Sequence, residues 1–178
     1  MSAKKNIFAI IGSASANSTN LKLVEKIEIL SGDTFNLTIF NDLKLLPHFD
    51  PELSANNPPK QILEFRNKIE HADGIIICTP EYVFSIPSGL KNAIEWCIAT
   101  TIFEDKPCGL ITASANGEKG HEDLQLIMKT VMAKFNSETT LLIKGVKAKF
   151  DSESNLLNIK TSAELKNFIS ELDKLIKQ

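Results

Sequence analysis

Apolar residues in this chain fall into two kinds of segment. Short unbroken runs of strand length occur at Asn6 to Ile11, Gly74 to Thr79 and Lys106 to Ser114, and weaker ones at Phe35 to Phe40 and Thr139 to Ile143. Runs apolar at every position predict strands buried on both faces, the signature of a parallel sheet. Between them the apolar positions recur every three or four residues, which predicts helices. One passes through Leu21, Leu23, Val24 and Ile27, and another, Lys60 to His71, through Ile62, Phe65 and Ile69. A third starts at Ser88 and carries Leu90, Ala93, Ile94 and Cys97; a fourth spans Glu122 to Phe135; a fifth closes the chain from Glu164 to Ile176. Asn41 to Pro59 and Gly145 to Lys160 are long and polar, and read as surface loops.

Strands that alternate with helices imply a three-layer α/β domain with right-handed crossovers. Five strands suggest the flavodoxin-like order 2-1-3-4-5, over a single domain spanning residues 1–178. In that arrangement the loops after the first, third and fourth strands emerge at one edge, beside the point where the chain reverses direction.

Composition narrows the function class. With 178 residues, 43% of them apolar, the chain has ample material for one core. Net charge is −2 and the lysines are interspersed with acids, so neither a nucleic-acid face nor a membrane patch is expected. The two lysines before Asn6 to Ile11 superficially resemble a signal peptide, but the apolar run is too short. Cys78, Cys97 and Cys108 have no metal-like or redox spacing and read as buried fillers, suited to a cytoplasmic protein.

The three loops carry the chemistry. After the first strand comes Gly12-Ser13-Ala14-Ser15-Ala16-Asn17-Ser18-Thr19-Asn20, rich in hydroxyls and amides and leading into a helix N-terminus. Peptide N–H groups and a helix dipole converging there suit an anion such as a phosphate, although Ser18 or Thr19 as a plain helix cap explains part of the pattern equally. No Gly-Lys-Ser/Thr closes the loop, and the three-glycine dinucleotide spacing is absent. After the third strand, Pro80, Glu81, Tyr82, Val83, Phe84 and Ser85 form a proline-bounded loop with two aromatics, placed to meet a flat ligand. After the fourth, Ser114, Asn116 and Gly117 are a further contact region or simply a polar turn. His48, His71 and His121 are scattered without ligand spacing, and no nucleophile elbow is present, so neither metal binding nor a catalytic triad is expected.

In two of these loops above all, and also over Leu46-Pro47 to Pro59 and Ser114 to Gly120, so across nearly the whole chain, the sequence resembles the NAD(P)H-dependent FMN reductase family, which includes quinone, chromate and azo-dye reductases. The family's first loop, Gly-Ser-x-Arg-x-x-Ser-x-Asn, is met by Gly12, Ser13, Ser18 and Asn20. Its second, Pro-Glu-Tyr-Asn-x-Ser-x-Pro-Gly-x-Leu-Lys-Asn-Ala-Ile-Asp-Trp, is met by Pro80, Glu81, Tyr82, Ser85, Pro87, Leu90, Lys91, Asn92, Ala93, Ile94 and Trp96. The resemblance implies that Ser13, Ser15, Ser18, Thr19 and Asn20 hold the phosphate of FMN. It also implies that Pro80 to Ser85 lie along the isoalloxazine ring, with Ser114, Asn116 and Gly117 completing the site. It implies hydride transfer from NADH or NADPH to FMN and ping-pong delivery to a small acceptor, with no protein acid or base. A homodimer or homotetramer built on the Ser88 to Ile98 helix, anchored by Trp96 and Ile94, is also implied.

Three positions depart from the family pattern. Ser15 stands in place of arginine, Val83 in place of asparagine, and Ser88-Gly89 shifts a glycine by one place. The first removes the loop's cation, and Ser15→Arg is expected to tighten FMN binding. Two alternatives follow: a flavodoxin-like electron carrier without a nicotinamide site, and a binding domain that has lost flavin.

Overall fold

A computed structural model of the chain describes residues 3–15, 17–151 and 155–178. Met1, Ser2, Ala16 of the first loop and 152–154 of the Gly145 to Lys160 excursion lie outside the described residues. Five strands, β1 (Lys5–Ile11), β2 (Phe35–Phe40), β3 (Gly74–Thr79), β4 (Cys108–Ser114) and β5 (Thr140–Lys144), form one parallel sheet in the order β2-β1-β3-β4-β5. The expected flavodoxin-like topology is the one observed.

Strand periodicity divides the core in two. Ile7, Ala9 and Ile11 face α1 (Thr19–Leu30) and α6 (Ile159–Ile176), meeting Leu23, Val24, Ile27, Leu165 and Leu172. Phe8 and Ile10 face the other layer with Ile75 and Ile77, against α3 (Lys60–His71), α4 (Ser88–Glu95) and α5 (Glu118–Thr130). Both faces of β1, β3 and β4 are covered, which is why their sequences read as unbroken apolar runs.

Several boundaries differ from the periodicity. The helix expected from Glu122 begins at Glu118, because Gly117 turns left-handed at φ +86° and starts the helix directly. It ends at Thr130 rather than Phe135, since Met132 is left-handed at φ +61° and the following residues return toward β4, where Lys134 accepts from the Cys108 N–H at 2.8 Å. The closing helix starts at Ile159, five residues before Glu164, where the Asn158 side chain accepts from the Thr161 N–H at 2.9 Å.

The Asn41 to Pro59 stretch is more than a surface loop. It contains a 3-10 turn at Leu43–Leu45 and a short helix α2 (Pro51–Asn56), whose Asp50 cap accepts from the Glu52 and Leu53 N–H groups. Leu43 and Leu46 are buried beneath it. Arg66 reaches out of α3 to tie this segment down, donating to the Ser54 carbonyl and hydroxyl at 3.0 and 2.8 Å and from Nε to the Trp96 carbonyl at 2.8 Å. Trp96 is wholly enclosed, with its indole N–H donated to the Pro47 carbonyl at 2.8 Å and its ring edge-on to Phe49. Ile94 is also buried, so both expected interface anchors are core residues of their own chain. The loss of apolar surface on folding accounts for them without a partner.

The connection from β3 to α4 contains a two-residue hairpin. Tyr82 and Ser85 exchange backbone hydrogen bonds at 2.9 and 3.1 Å, and the residues between them, Val83 and Phe84, take φ of +52° and +58°. Two successive positive φ values mark a type I′ turn, which favours Asn-Gly and penalises a β-branched residue. Val83 is 95% exposed, so little packing offsets its strain. Replacing it with asparagine, Val83→Asn, is expected to stabilise the fold by about 1 kcal/mol, seen as a higher urea midpoint at unchanged m.

At the carboxyl end of β1, Gly12 donates its N–H to the Cys78 carbonyl at 2.8 Å, and a Cβ built there would lie 2.3 Å from Thr79 Oγ1 and 2.6 Å from Thr79 Cβ. Gly12→Ala therefore forces β1 and β3 apart or twists Thr79 off its rotamer. A loss of about 1–3 kcal/mol is expected in chemical denaturation, the range of overpacked cores.

Candidate functional site

The loops leaving β1, β3, β4 and β5 surround a cavity of about 490 Å³. That lies within the roughly 300–1,000 Å³ typical of small-molecule sites. It sits at the carboxyl edge of the sheet, beside the β1/β3 reversal, where open α/β sheets bind ligands.

One wall is the first loop. Ser13, Ser15, Ser18, Thr19 and Asn20 all line the cavity, together with Asn17. Ser18 is the cap of α1, its Oγ accepting from the Leu21 N–H at 3.3 Å, so capping and cavity lining are not exclusive. A hydroxyl that accepts from the backbone still has its own proton to donate outward. Ser13 Oγ accepts from the Ser15 N–H at 3.3 Å in the same way. The N–H groups of the first turn of α1 have no intrahelical partner and lie at the positive end of the helix dipole. Asn20 is committed differently: its Nδ2 donates to the Ala113 carbonyl and its Oδ1 accepts from Cys78 Sγ, both at 3.3 Å. It fastens α1 to β3 and β4 at the floor of the cavity.

The facing wall is Pro80 and Tyr82, with Tyr82 half exposed at the rim. The rest of that loop turns away. Glu81 Oε2 accepts from the Gly120 N–H at 2.7 Å, Ser85 Oγ donates to Asp123, and the Ile86 N–H reaches the same carboxylate at 3.4 Å. Glu81 and Ser85 thus tether the loop to α5 rather than line the cavity, while Val83 and Phe84 form its exposed tip. From the third loop Ser114 lines the cavity with Ala113 and Ala115, whereas Asn116 and Gly117 lie outside it and lead into α5.

The fourth wall was not anticipated. Gly145, Val146, Lys147 and Ala148, at the start of the excursion after β5, complete the enclosure. Gly145 is left-handed at φ +61° and donates its N–H to the Ala115 carbonyl at 3.1 Å, joining this turn to the loop after β4. The signal was available, since the exit of a parallel fifth strand must emerge at the same edge as the other three.

Among the described residues no cluster of three potential metal ligands occurs, and no helix is long and apolar enough to cross a membrane. The three thiols are buried, which raises their pKa, to about 12 for Cys97 and Cys108, so none is a ready nucleophile. His121 is not among the lining residues; its Nδ1 lies 2.9 Å from Thr112 Oγ1, and burial lowers its pKa. The cavity therefore offers hydroxyl and amide donors and apolar surface, with neither a thiol nor an imidazole among its described lining residues.

The chain is similar to known proteins. The NADH:(hydroxy)cinnamate reductase subunit CrdA of Vibrio ruber is 33% identical over 128 residues, covering 71% of this chain and 62% of that protein. A quinone reductase of Escherichia coli K12 is 29% identical over 97 residues, covering 54% of this chain and 52% of that protein. The matches thus span about half to three-fifths of these relatives' lengths. The flavoenzyme NAD(P)H:(acceptor) oxidoreductase FerB of Paracoccus denitrificans superposes with a TM-score of 0.79 at 22% identity, covering 97% of both chains, and shares the fold. The family model of the NADPH-dependent FMN reductases matches residues 5–144, taking in all five strands and the loops after β1, β3 and β4, and the chain belongs to that family.

Proposed function

We propose that the protein is an FMN-dependent NAD(P)H oxidoreductase that passes reducing equivalents from NADH or NADPH through bound FMN to a flavin, a quinone, an azo compound or a similar small acceptor. The observation that carries this reading is the two-ended cavity in a chain of this family: hydroxyl, amide and N–H donors at one wall, Pro80 and Tyr82 at the other. That donor set fits FMN, whose terminal phosphate needs several donors and whose ring needs an apolar wall with backbone polar groups along its edge.

Ser13, Ser15, Ser18 and Thr19, with the N–H groups at the start of α1, would hold the phosphate. Pro80 and Tyr82 would meet the ring. Glu81 and Ser85 serve indirectly, by fixing this loop to α5 so that Tyr82 keeps its place at the rim. Asn116 and Gly117 shape the turn beneath Ser114. Bound FMN would supply the redox chemistry, accepting two electrons from a nicotinamide nucleotide and giving them to the acceptor. The protein's share is to orient that group and leave one side of it open to the two reactants in turn.

A cytoplasmic setting suits three unpaired buried thiols. Association into a dimer or dimer of dimers remains part of the reading, now resting on exposed Ile98, just past α4, and on exposed Val83 and Phe84 at the tip of the loop tethered to α5, rather than on Trp96 and Ile94. Light scattering should return twice or four times the 19.7 kDa chain mass, and a monomer at micromolar concentration would remove this part.

The decisive measurement is a flavin titration followed by anaerobic NADPH or NADH. FMN should bind more tightly than riboflavin, and the nucleotide should bleach the bound flavin. Bleaching by dithionite but by neither nucleotide would make the protein an electron carrier instead, and absence of flavin binding would sink the proposal.

A further inference from the structure

Lys147 is the sole charged residue among the described residues that line the cavity. No acidic side chain shares that lining, and Lys147 Nζ has no hydrogen bond or ion pair among the described residues. Its neighbour Lys144, by contrast, is paired with Glu118. The turn that presents Lys147 is held on both sides. Val146 is buried in the α1/α6 core, Gly145 bonds to Ala115, and the Ala148 N–H closes a turn onto the Gly145 carbonyl at 3.1 Å. Beyond the turn, the Leu157 N–H donates to the Lys149 carbonyl at 2.9 Å, which fixes the return of the chain. Lys147 also lies past residue 144, where the family match ends.

From these observations, and resting on the FMN reading above, we infer that Lys147 is the phosphate's counter-charge and determines the preference of this cavity for a phosphorylated flavin. The phosphate of a bound monoester is nearly dianionic, and neutral hydroxyls with a partial helix charge leave most of that charge uncompensated. The first loop has no cation among its residues Gly12 to Asn20. Arg66, the chain's single arginine, is spoken for by Ser54 and the Trp96 carbonyl. A cation delivered by the β5 exit to the cavity that Ser13, Ser15, Ser18 and Thr19 also line therefore takes the place that a loop arginine would fill. Being a point charge on a flexible stem, it attracts the phosphate without fixing it bidentately, so affinity should depend on salt.

The test is titration of FMN and of riboflavin, by quenching of flavin fluorescence, into the protein and four variants at low and high salt. Lys147→Ala should weaken FMN binding about tenfold, the size of one charge-assisted hydrogen bond, while riboflavin affinity and the thermal midpoint stay unchanged. The salt dependence of FMN binding should flatten in that variant. Lys147→Arg should retain the wild-type preference, and Lys149→Ala, outside the cavity lining, should behave as wild type. Ser15→Arg placed in the Lys147→Ala background should restore FMN affinity, because it returns a cation to the cavity from the first loop. Equal affinity of Lys147→Ala and wild type for FMN, or an equal loss for both flavins, would overturn the inference while leaving the FMN reading intact. A wild-type protein that binds neither flavin overturns the functional reading and the inference together.

Discussion

The close approach of Gly12 to Thr79 sets the position of everything at the functional edge. Because position 12 has no Cβ, the exit of β1 lies directly against the end of β3, with the Gly12 N–H on the Cys78 carbonyl. The first loop and the Pro80 loop then diverge from nearly the same point, and the space between them is the cavity. Asn20 reinforces this geometry from below, using both ends of its amide to bind α1 to β3 and β4. A parallel sheet guarantees that strand exits share an edge, but not that two loops face each other at a useful separation. The missing side chain does that.

Around this fixed junction the fold separates residues that line the cavity from residues that hold the lining in place. Tyr82 and Pro80 do the first; Glu81, Ser85, Gly120 and Asp123 do the second, through α5. Gly120 permits the approach, since a Cβ there would come within 3.0 Å of Glu81 Cβ. The strained Val83–Phe84 turn persists because the tethers on either side over-determine it. In the same helical layer Arg66 performs a comparable service, filling the space under α2 through the Ser54 carbonyl and satisfying the Trp96 carbonyl at the end of α4. Its charge is therefore a structural resource and is lost to ligand binding.

Charge placement separates this chain from the pattern its loops resemble. A serine at position 15 leaves the first loop neutral, and the cation on the cavity rim comes instead from a segment over a hundred residues away, after β5. Electrostatics constrains the distance from a cation to an anion and is indifferent to which strand exit delivers it.

What the sequence determined by itself was the local pattern: unbroken apolar runs of strand length, helical spacing between them, and from their alternation the parallel five-stranded sheet and its order. It also determined the first wall of the cavity and the Pro80–Tyr82 wall, because hydroxyl-rich and proline-bounded loops after buried strands are visible in linear order. Only the tertiary structure decided the rest. Glu81 reads as a loop residue until Gly120, thirty-nine positions on, takes its carboxylate. Trp96 reads as an interface anchor until Pro47 and Phe49 enclose it. Lys147 is one lysine in a polar stretch until the Gly145–Ala115 bond draws its turn to the cavity. Each depends on a partner distant in sequence, and pairing across such distances is fixed by packing of the whole sheet, which no local period encodes.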